Sequence, residues 1–265
     1  DQGVHIIMRD GADAMQNHYN SLYSMPFIID EQKTSKMASD VLWGLAHFDW
    51  YNRDQIRDLV VAYLECTNHS KPQTDLQLLW ALAKLGYGCK EANGASIGNL
   101  DEAGPPSQGT APAAVYKQLV SSITSAAQGL HPHDLSAVMY STARLGCSGQ
   151  SVDELAGVMS RKVTYARAKW DGRSIAGCLC AWALASASGC ATDEVNNMAR
   201  ALFRAANAVV KKKGTAVFEG PQQRAQLYTA HLEAQRVGLK GGGLATANGL
   251  QQAAARGFDQ CLQGV

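Results

Sequence analysis

Residues 74–87 read TDLQLLWALAKLGY, and the ten from Leu78 to Tyr87 carry a single charge, Lys84. A membrane-spanning helix needs ~20 consecutive apolar residues, so this run is too short to cross a bilayer. It is also too apolar for an exposed helix, whose polar face should recur every turn. The pattern returns along the chain. Trp43 stands in SDVLWGLAHFDW, Trp80 in the quoted run, Tyr140 in HDLSAVMYSTARLGC, Trp182 in CLCAWALASASGC and Tyr228 in RAQLYTAHLEAQ. Each aromatic is followed by mixed small and large apolar residues. The aromatics are 37, 60, 42 and 46 residues apart. Self-similarity at such a period is the signature of a repeat architecture.

The long spacing has a visible origin. Residues 88–112, GCKEANGASIGNLDEAGPPSQGTAP, are rich in Gly, Ala, Ser and Pro and show no apolar periodicity, so they are expected to be a flexible insertion loop in one repeat. After each anchor run comes a more amphipathic stretch, roughly 53–66, 113–128, 151–170, 192–212 and 243–262. Asn52, Ser151 with Glu154, and Thr192 are start signals for these second helices. Gly86 and Gly146 stand where first helices should end. The expected unit is therefore helix–turn–helix in about five copies, 40–74, 75–130, 131–171, 172–220 and 221–265, with 1–39 as an N-terminal cap or edge. One such unit cannot bury its own apolar stripe, but a stack of them can. The fold expected is all-α, a single α-solenoid over 1–265. The run at Leu78–Tyr87 is apolar because it lies between layers of its own relatives.

Composition agrees. Of the 265 residues 46% are hydrophobic and 18% charged, Ala and Gly are abundant, and Val and Ile never alternate as strands require. The net charge of +1 hides an asymmetry: residues 1–129 hold nine Lys and Arg against 14 Asp and Glu, and residues 130–265 hold 15 against nine. The seven Cys include Cys66, Cys178, Cys180 and Cys261 inside apolar stretches, which fits buried thiols in a reducing compartment. The first residue is Asp1 rather than Met, as in a processed or trimmed product.

DLQLLWALAKLGY, DVLWGLAHF and DLSAVMYSTARLG together resemble the octotricopeptide repeat, a family of paired-helix solenoids abundant in green-algal organelles. The resemblance implies an organellar RNA-binding protein without catalytic activity. Its expected place is the mitochondrial matrix, with the chloroplast as alternative, and its expected partner is ribosomal RNA within a mitochondrial ribosome. An mRNA stability, processing or translation factor is the other role it implies. The match is good over 75–87 and loose over 40–262. The run of prolines before Trp that marks many family repeats is missing, and so is a C-terminal RAP domain.

Two second helices carry the chemistry RNA would need. Leu155, Met159, Val163, Ala166 and Trp170 form one inward stripe, while Arg161, Tyr165 and Lys169 recur at i, i+4, i+8 on another face, beside Lys162. In the next, Val195, Met198, Leu202, Ala206 and Val209 point inward, and Arg200, Arg204, Asn207, Lys211 and Lys212 face out. Arg173 extends the patch. Cations meet phosphate, Arg with a planar two-pronged fork, and an exposed ring stacks on an unpaired base. The same residues also fit the solvated faces of amphipathic helices.

A rival surface lies in the acidic half, where Trp50 and Tyr51 follow Trp43 and suit a protein interface in an organellar complex. Other signals are weaker. HPHD, 131–134, reads as a helix start rather than a metal site, since a His-x-His pair diverges on a helix. CLC, 178–180, has no second Cys pair to complete a zinc site. KGGG, 240–243, offers backbone amides to a phosphate but reads more simply as a helix break. No nucleophile, metalloprotease or nucleotide-loop motif is found. No enzyme, cofactor, metal, small-molecule substrate or membrane partner is expected.

Overall fold

The computed structural model describes residues 31–66, 71–87, 112–166, 169–246 and 249–262. These hold ten α-helices and one short 3-10 turn, with no strand among the described residues. The helices are α1 Glu31–His47, α2 Arg53–Glu65, α3 Pro72–Leu85, α4 Pro112–Ala126, α5 Pro132–Arg144, α6 Gln150–Tyr165, α7 Gly172–Ala187, α8 Asp193–Lys213, α9 Pro221–Arg236 and α10 Leu250–Leu262. The expected all-α class is therefore correct. All five anchor aromatics fall on odd-numbered helices, and each expected second helix overlaps an even-numbered one. The expected cap at 1–39 and loop at 88–112 lie outside the described residues, except that α1 already begins at Glu31 and α4 at Pro112. No helix among the described residues is long and apolar enough to cross a membrane.

The chain forms two compact units, divided between Ile123 and Thr124. In the first, α1 packs on α2 and α3. Its core holds a buried carboxylate, Asp75 in the first turn of α3. It accepts hydrogen bonds from the hydroxyls of Tyr63 on α2 and Ser122 on α4. A buried charge is tolerable only with such partners, and the helix N-terminus adds its positive end. The Tyr116 hydroxyl donates to the carbonyl of Tyr87, tying α4 to the end of α3. Leu78, Leu79, Ala81, Leu82 and Ala83 are all buried, as the run at 78–87 predicts.

In the second unit α7 lies between α5 and α9 and also packs on α8, while α6 packs on α8 and α9 on α10. Contact on several sides explains why α7 is apolar nearly all round, with ten buried residues including Trp182 and Leu179. Glycine sets the closest approaches. A Cβ on Gly177 of α7 would stand 2.4 Å from Ser136 Oγ of α5, and one on Gly257 of α10 2.3 Å from Arg224 Cβ of α9. Cys66 and Cys178 are buried, and burial pushes the Cys178 thiol up to about 12. Cys261, expected to be buried, is exposed.

Five helices close in the same way. After α1, α3, α5, α7 and α9 the chain turns through Asp49, Gly86, Gly146, Gly189 and Gly238, all with positive φ. Each donates its N–H three residues back, and the next residue donates five residues back: Trp50 to Leu45, Tyr87 to Leu82, Cys147 to Thr142, Cys190 to Ala185, Leu239 to Ala234. This is the Schellman closure, which satisfies carbonyls left open at a helix end. It also corrects the register read from the aromatics. Trp43, Trp80 and Tyr140 each stand six residues before the positive-φ residue. Trp182 stands one residue earlier than that, in the buried row of Leu42, Leu79 and Met139, and Tyr228 four earlier.

Two helix boundaries differ from expectation. Helix α6 ends at Tyr165 instead of running to Trp170: Ala166 leaves the helical conformation with its N–H still on the Lys162 carbonyl, and α7 starts anew at Asp171, which accepts the Ser174 N–H at 2.7 Å. Its start is at Gly149, so Ser151 lies inside the helix and caps nothing, and Gln150 is the residue that bonds Glu154. Helix α10 starts at Leu250 rather than 243, since 240–245 is held elsewhere. Asn52 and Thr192 cap α2 and α8 as read, accepting the N–H groups of Gln55 and Val195.

Candidate anion-binding groove

The site is built in the second unit, from α6 and α8. Three contacts fix how α8 is rotated. The Thr192 hydroxyl accepts the Val195 N–H and donates to Asp153 Oδ1 at 2.5 Å, tying the start of α8 to the first turn of α6. Trp182 Nε1 donates to Asn196 Oδ1 at 2.9 Å. The Phe203 ring meets the Trp182 ring edge-on at 5.9 Å. With Val195, Met198, Leu202 and Ala206 buried, the opposite face of α8 turns outward.

On that face an open groove runs between the two helices. Ser160 and Arg161 of α6 and Glu194, Asn197, Arg200 and Arg204 of α8 line it. Three guanidiniums thus share one groove with one carboxylate, an excess of positive charge on a concave surface. Arg161 and Arg204 are exposed and make no hydrogen bond or ion pair with the described residues. Arg200 is half-buried and held at two points. Its Nη1 donates to Asn197 Oδ1 at 2.6 Å and its Nε to the Lys240 carbonyl at 3.1 Å. Asn197 was not singled out in the sequence, and Lys240 only as the first residue of the KGGG run. Asn197 precedes Arg200 by one helical turn on the same stripe, a spacing that was readable.

The other expected contacts scatter. Tyr165 ends α6 with 86% of its surface exposed, so its ring is available to stack. Lys169 lies past the helix end and does not continue the i, i+4, i+8 stripe. Arg173 is exposed in the first turn of α7. Lys211 and Lys212 are exposed in the last turn of α8, where the helix dipole favours cations. None of these five lines the groove.

Lys162 and Asn207 face inward chemically. Lys162 Nζ donates to three carbonyls, those of Ala127, Gln128 and Leu130, at 3.0, 2.9 and 2.8 Å. Burial first, and the charge of Lys169 second, hold its pKa below the ordinary lysine value. The three carbonyls favour the ammonium against that burial. Asn207 donates Nδ2 to the Gly243 carbonyl at 3.1 Å and accepts the Ala245 N–H at 2.9 Å. Both residues are therefore structural ties; Arg161, Lys169, Arg173, Arg204, Lys211 and Lys212 are exposed cations, and Arg200 is half-buried.

The glycine run is not open to a phosphate in the manner of a nucleotide loop. The amides of Gly242, Leu244 and Ala245 are already donated, to the Leu239 carbonyl, His231 Nδ1 and Asn207 Oδ1. In HPHD, His131 precedes α5, Pro132 is its first residue and Asp134 lies in its first turn.

Fold and groove together give, over the described residues, an all-helical protein with an arginine-lined groove on its second unit. No protein-family model matches the chain, and no curated protein or solved structure is detectably similar to it.

Proposed function

We propose that this chain is an α-solenoid of five helix–turn–helix repeats that binds RNA without catalysis, in the manner of the octotricopeptide proteins its anchor runs resemble. The RNA is ribosomal, and the setting is a mitochondrial ribosome in the matrix, with a chloroplast or a transcript-stabilising complex as alternative. Arg161, Arg200 and Arg204 in one groove are the observation that carries this reading. Guanidiniums suit phosphate oxygens, which they meet with paired hydrogen bonds. Tyr165 stacks on an unpaired base at one end of α6, and Lys211 and Lys212 extend the electrostatic track along α8. The Schellman closure is common to many helices, so the support for a repeat is its recurrence at every odd-numbered helix together with an aromatic six residues before it in the first three.

Ultraviolet crosslinking followed by peptide mapping tests the proposal. The expected crosslinks fall on peptides containing Arg161, Tyr165 and Arg200, and the protein cosediments with organellar ribosomes. Crosslinks confined to other peptides reject the groove, and free sedimentation rejects the ribosomal setting.

A protein interface in the first unit is favoured by a separate observation. Trp50 is 48% and Tyr51 54% exposed, beside an exposed Trp43 whose ring stacks on His47 at 5.1 Å. Exposed Trp and Tyr of this density are typical of binding hot spots. Neighbouring ribosomal or organellar proteins are the partners proposed for it. Trp50→Ala should weaken assembly while leaving RNA affinity unchanged. Full assembly of that variant removes the interface.

A further inference from the structure

We infer that the glycine-rich segment Lys240–Ala245 is a latch that aims Arg200 into the groove, and that Asn207 is a positioning residue acting on bound RNA only through this latch. The inference deepens the proposed function and rests on it for its RNA readout.

The segment runs alongside α8. Its first carbonyl, that of Lys240, meets Arg200, and the carbonyl of Gly243 and the N–H of Ala245 meet Asn207. Arg200 and Asn207 are seven residues apart, a helical rise of about 10 Å. Residues 240 and 241 form a tight turn closed by the Gly242 N–H on the Leu239 carbonyl, so the segment is short and folded rather than extended. Bonds to Arg200 at one end and to Asn207 at the other hold this short segment against α8. Between the two Asn207 bonds the Leu244 N–H donates to His231 Nδ1 at 3.1 Å, which ties the segment to α9 as well. Leu239 and Leu244 are buried at either end of it.

The path excludes side chains. A Cβ on Gly242 would stand 2.5 Å from Leu239 Cδ2. Gly243 has φ +113, where other residues are strained, and its Cβ would lie 3.2 Å from His231 Nδ1. The glycine run thus keeps the turn tight against Leu239 and lets Gly243 dock closely onto His231 of α9. Its effect falls on Arg200. With Nε on the Lys240 carbonyl and Nη1 on Asn197, the plane of the guanidinium is set, and its Nη2 has no partner among the described residues. A long side chain otherwise loses rotamer freedom when it captures a ligand, so fixing it beforehand raises affinity. Asn207 uses its amide oxygen and one amide hydrogen on the latch, so its contribution to binding passes through Arg200.

A double-mutant cycle reads this directly, with a fluorescent mixed-sequence single-stranded RNA 20-mer as the probe. Asn207→Ala should weaken binding roughly fivefold in the wild-type background and not at all in an Arg200→Ala background. Gly243→Ala opens the latch while leaving the side chains of the groove as they are, and should show the same loss with the same dependence on Arg200. Additive losses, or an Asn207→Ala protein with wild-type affinity, overturn the latch. If the wild-type protein binds no RNA, the proposed function fails and the latch is read without it. The Arg200 Nε–H should be protected from solvent exchange in the wild type and exchange freely in Asn207→Ala. Equal protection in both proteins rejects the latch whatever the RNA result.

Discussion

Replacing Lys162 by Met separates a structural lysine from an RNA-binding one. The change keeps most of the apolar stem and removes the ammonium. In the folded chain that ammonium serves three carbonyls in the turn after α4, at 2.8 to 3.0 Å. A hydrogen bond to a charged group contributes about 1.5–3 kcal/mol when buried. Here one charge is shared among three acceptors on a half-exposed side chain, so the three do not add, and a net loss of about 1–2 kcal/mol is expected. For a body of this size each kcal/mol lowers Tm by about 2–4 °C, which places the fall at about 2–8 °C. The assay pairs a thermal melt with fluorescence polarisation on labelled RNA. Tm should drop while RNA affinity and its salt dependence stay at wild-type values. An unchanged Tm together with weaker RNA binding and a shallower salt slope would refute the assignment and return Lys162 to the surface.

Two further outcomes follow from individual side chains. His231 is 5% exposed, accepts the Leu244 N–H on Nδ1, and is held below the ordinary histidine pKa by burial. The unfolded chain binds that proton more readily, so the stability His231 supports is complete above about pH 6.5 and falls as acid drives the pH toward the lower folded-state value. Glu233, also depressed, chiefly by its hydrogen bonds from Arg236, loses its contribution only below the carboxylate range. Urea titrations at pH 7.5 and 5.5 should therefore show a loss that His231→Gln largely abolishes; an identical pH dependence in the variant rejects the role. Asp49 is the one non-glycine among the five positive-φ closures, at φ 53. Asp49→Gly should stabilise by up to about 1 kcal/mol, because its ion pair with Lys84 is exposed and adds little, whereas Gly146→Ala should cost about 1 kcal/mol. Urea denaturation giving both changes the same sign would contradict the shared closure.

What the sequence made legible was local. Asn52 and Thr192 act within three residues of themselves, and Gly86 and Gly146 close the helix they follow, so their chemistry could be read in place. The stripe of Arg161, Arg200 and Arg204 was readable because helical periodicity puts apolar residues on one side and leaves these on the other. The register of the fourth and fifth anchors was not. Aromatic character marks a residue type rather than a position, and Trp182 fills a core site that leucine or methionine occupies in the earlier copies. The end of α6 was missed because no glycine or proline stands between Tyr165 and Asp171, the cap that begins the next helix. The ties of Lys162 and Asn207 were not legible for a different reason. Their partners lie 32 to 35 and 36 to 38 residues away in the chain, and nothing near either residue announces them.

The decisive measurement is RNA affinity across a salt series for the wild type and for Arg161→Glu, Arg200→Glu and Arg204→Glu combined. Three phosphates met by three guanidiniums give a slope of log affinity against log salt of roughly −2 on single-stranded RNA. The wild type should show at least that slope, and the triple variant should lose binding at moderate salt with its helical spectrum and melt intact. A triple variant that binds RNA as the wild type does contradicts the account.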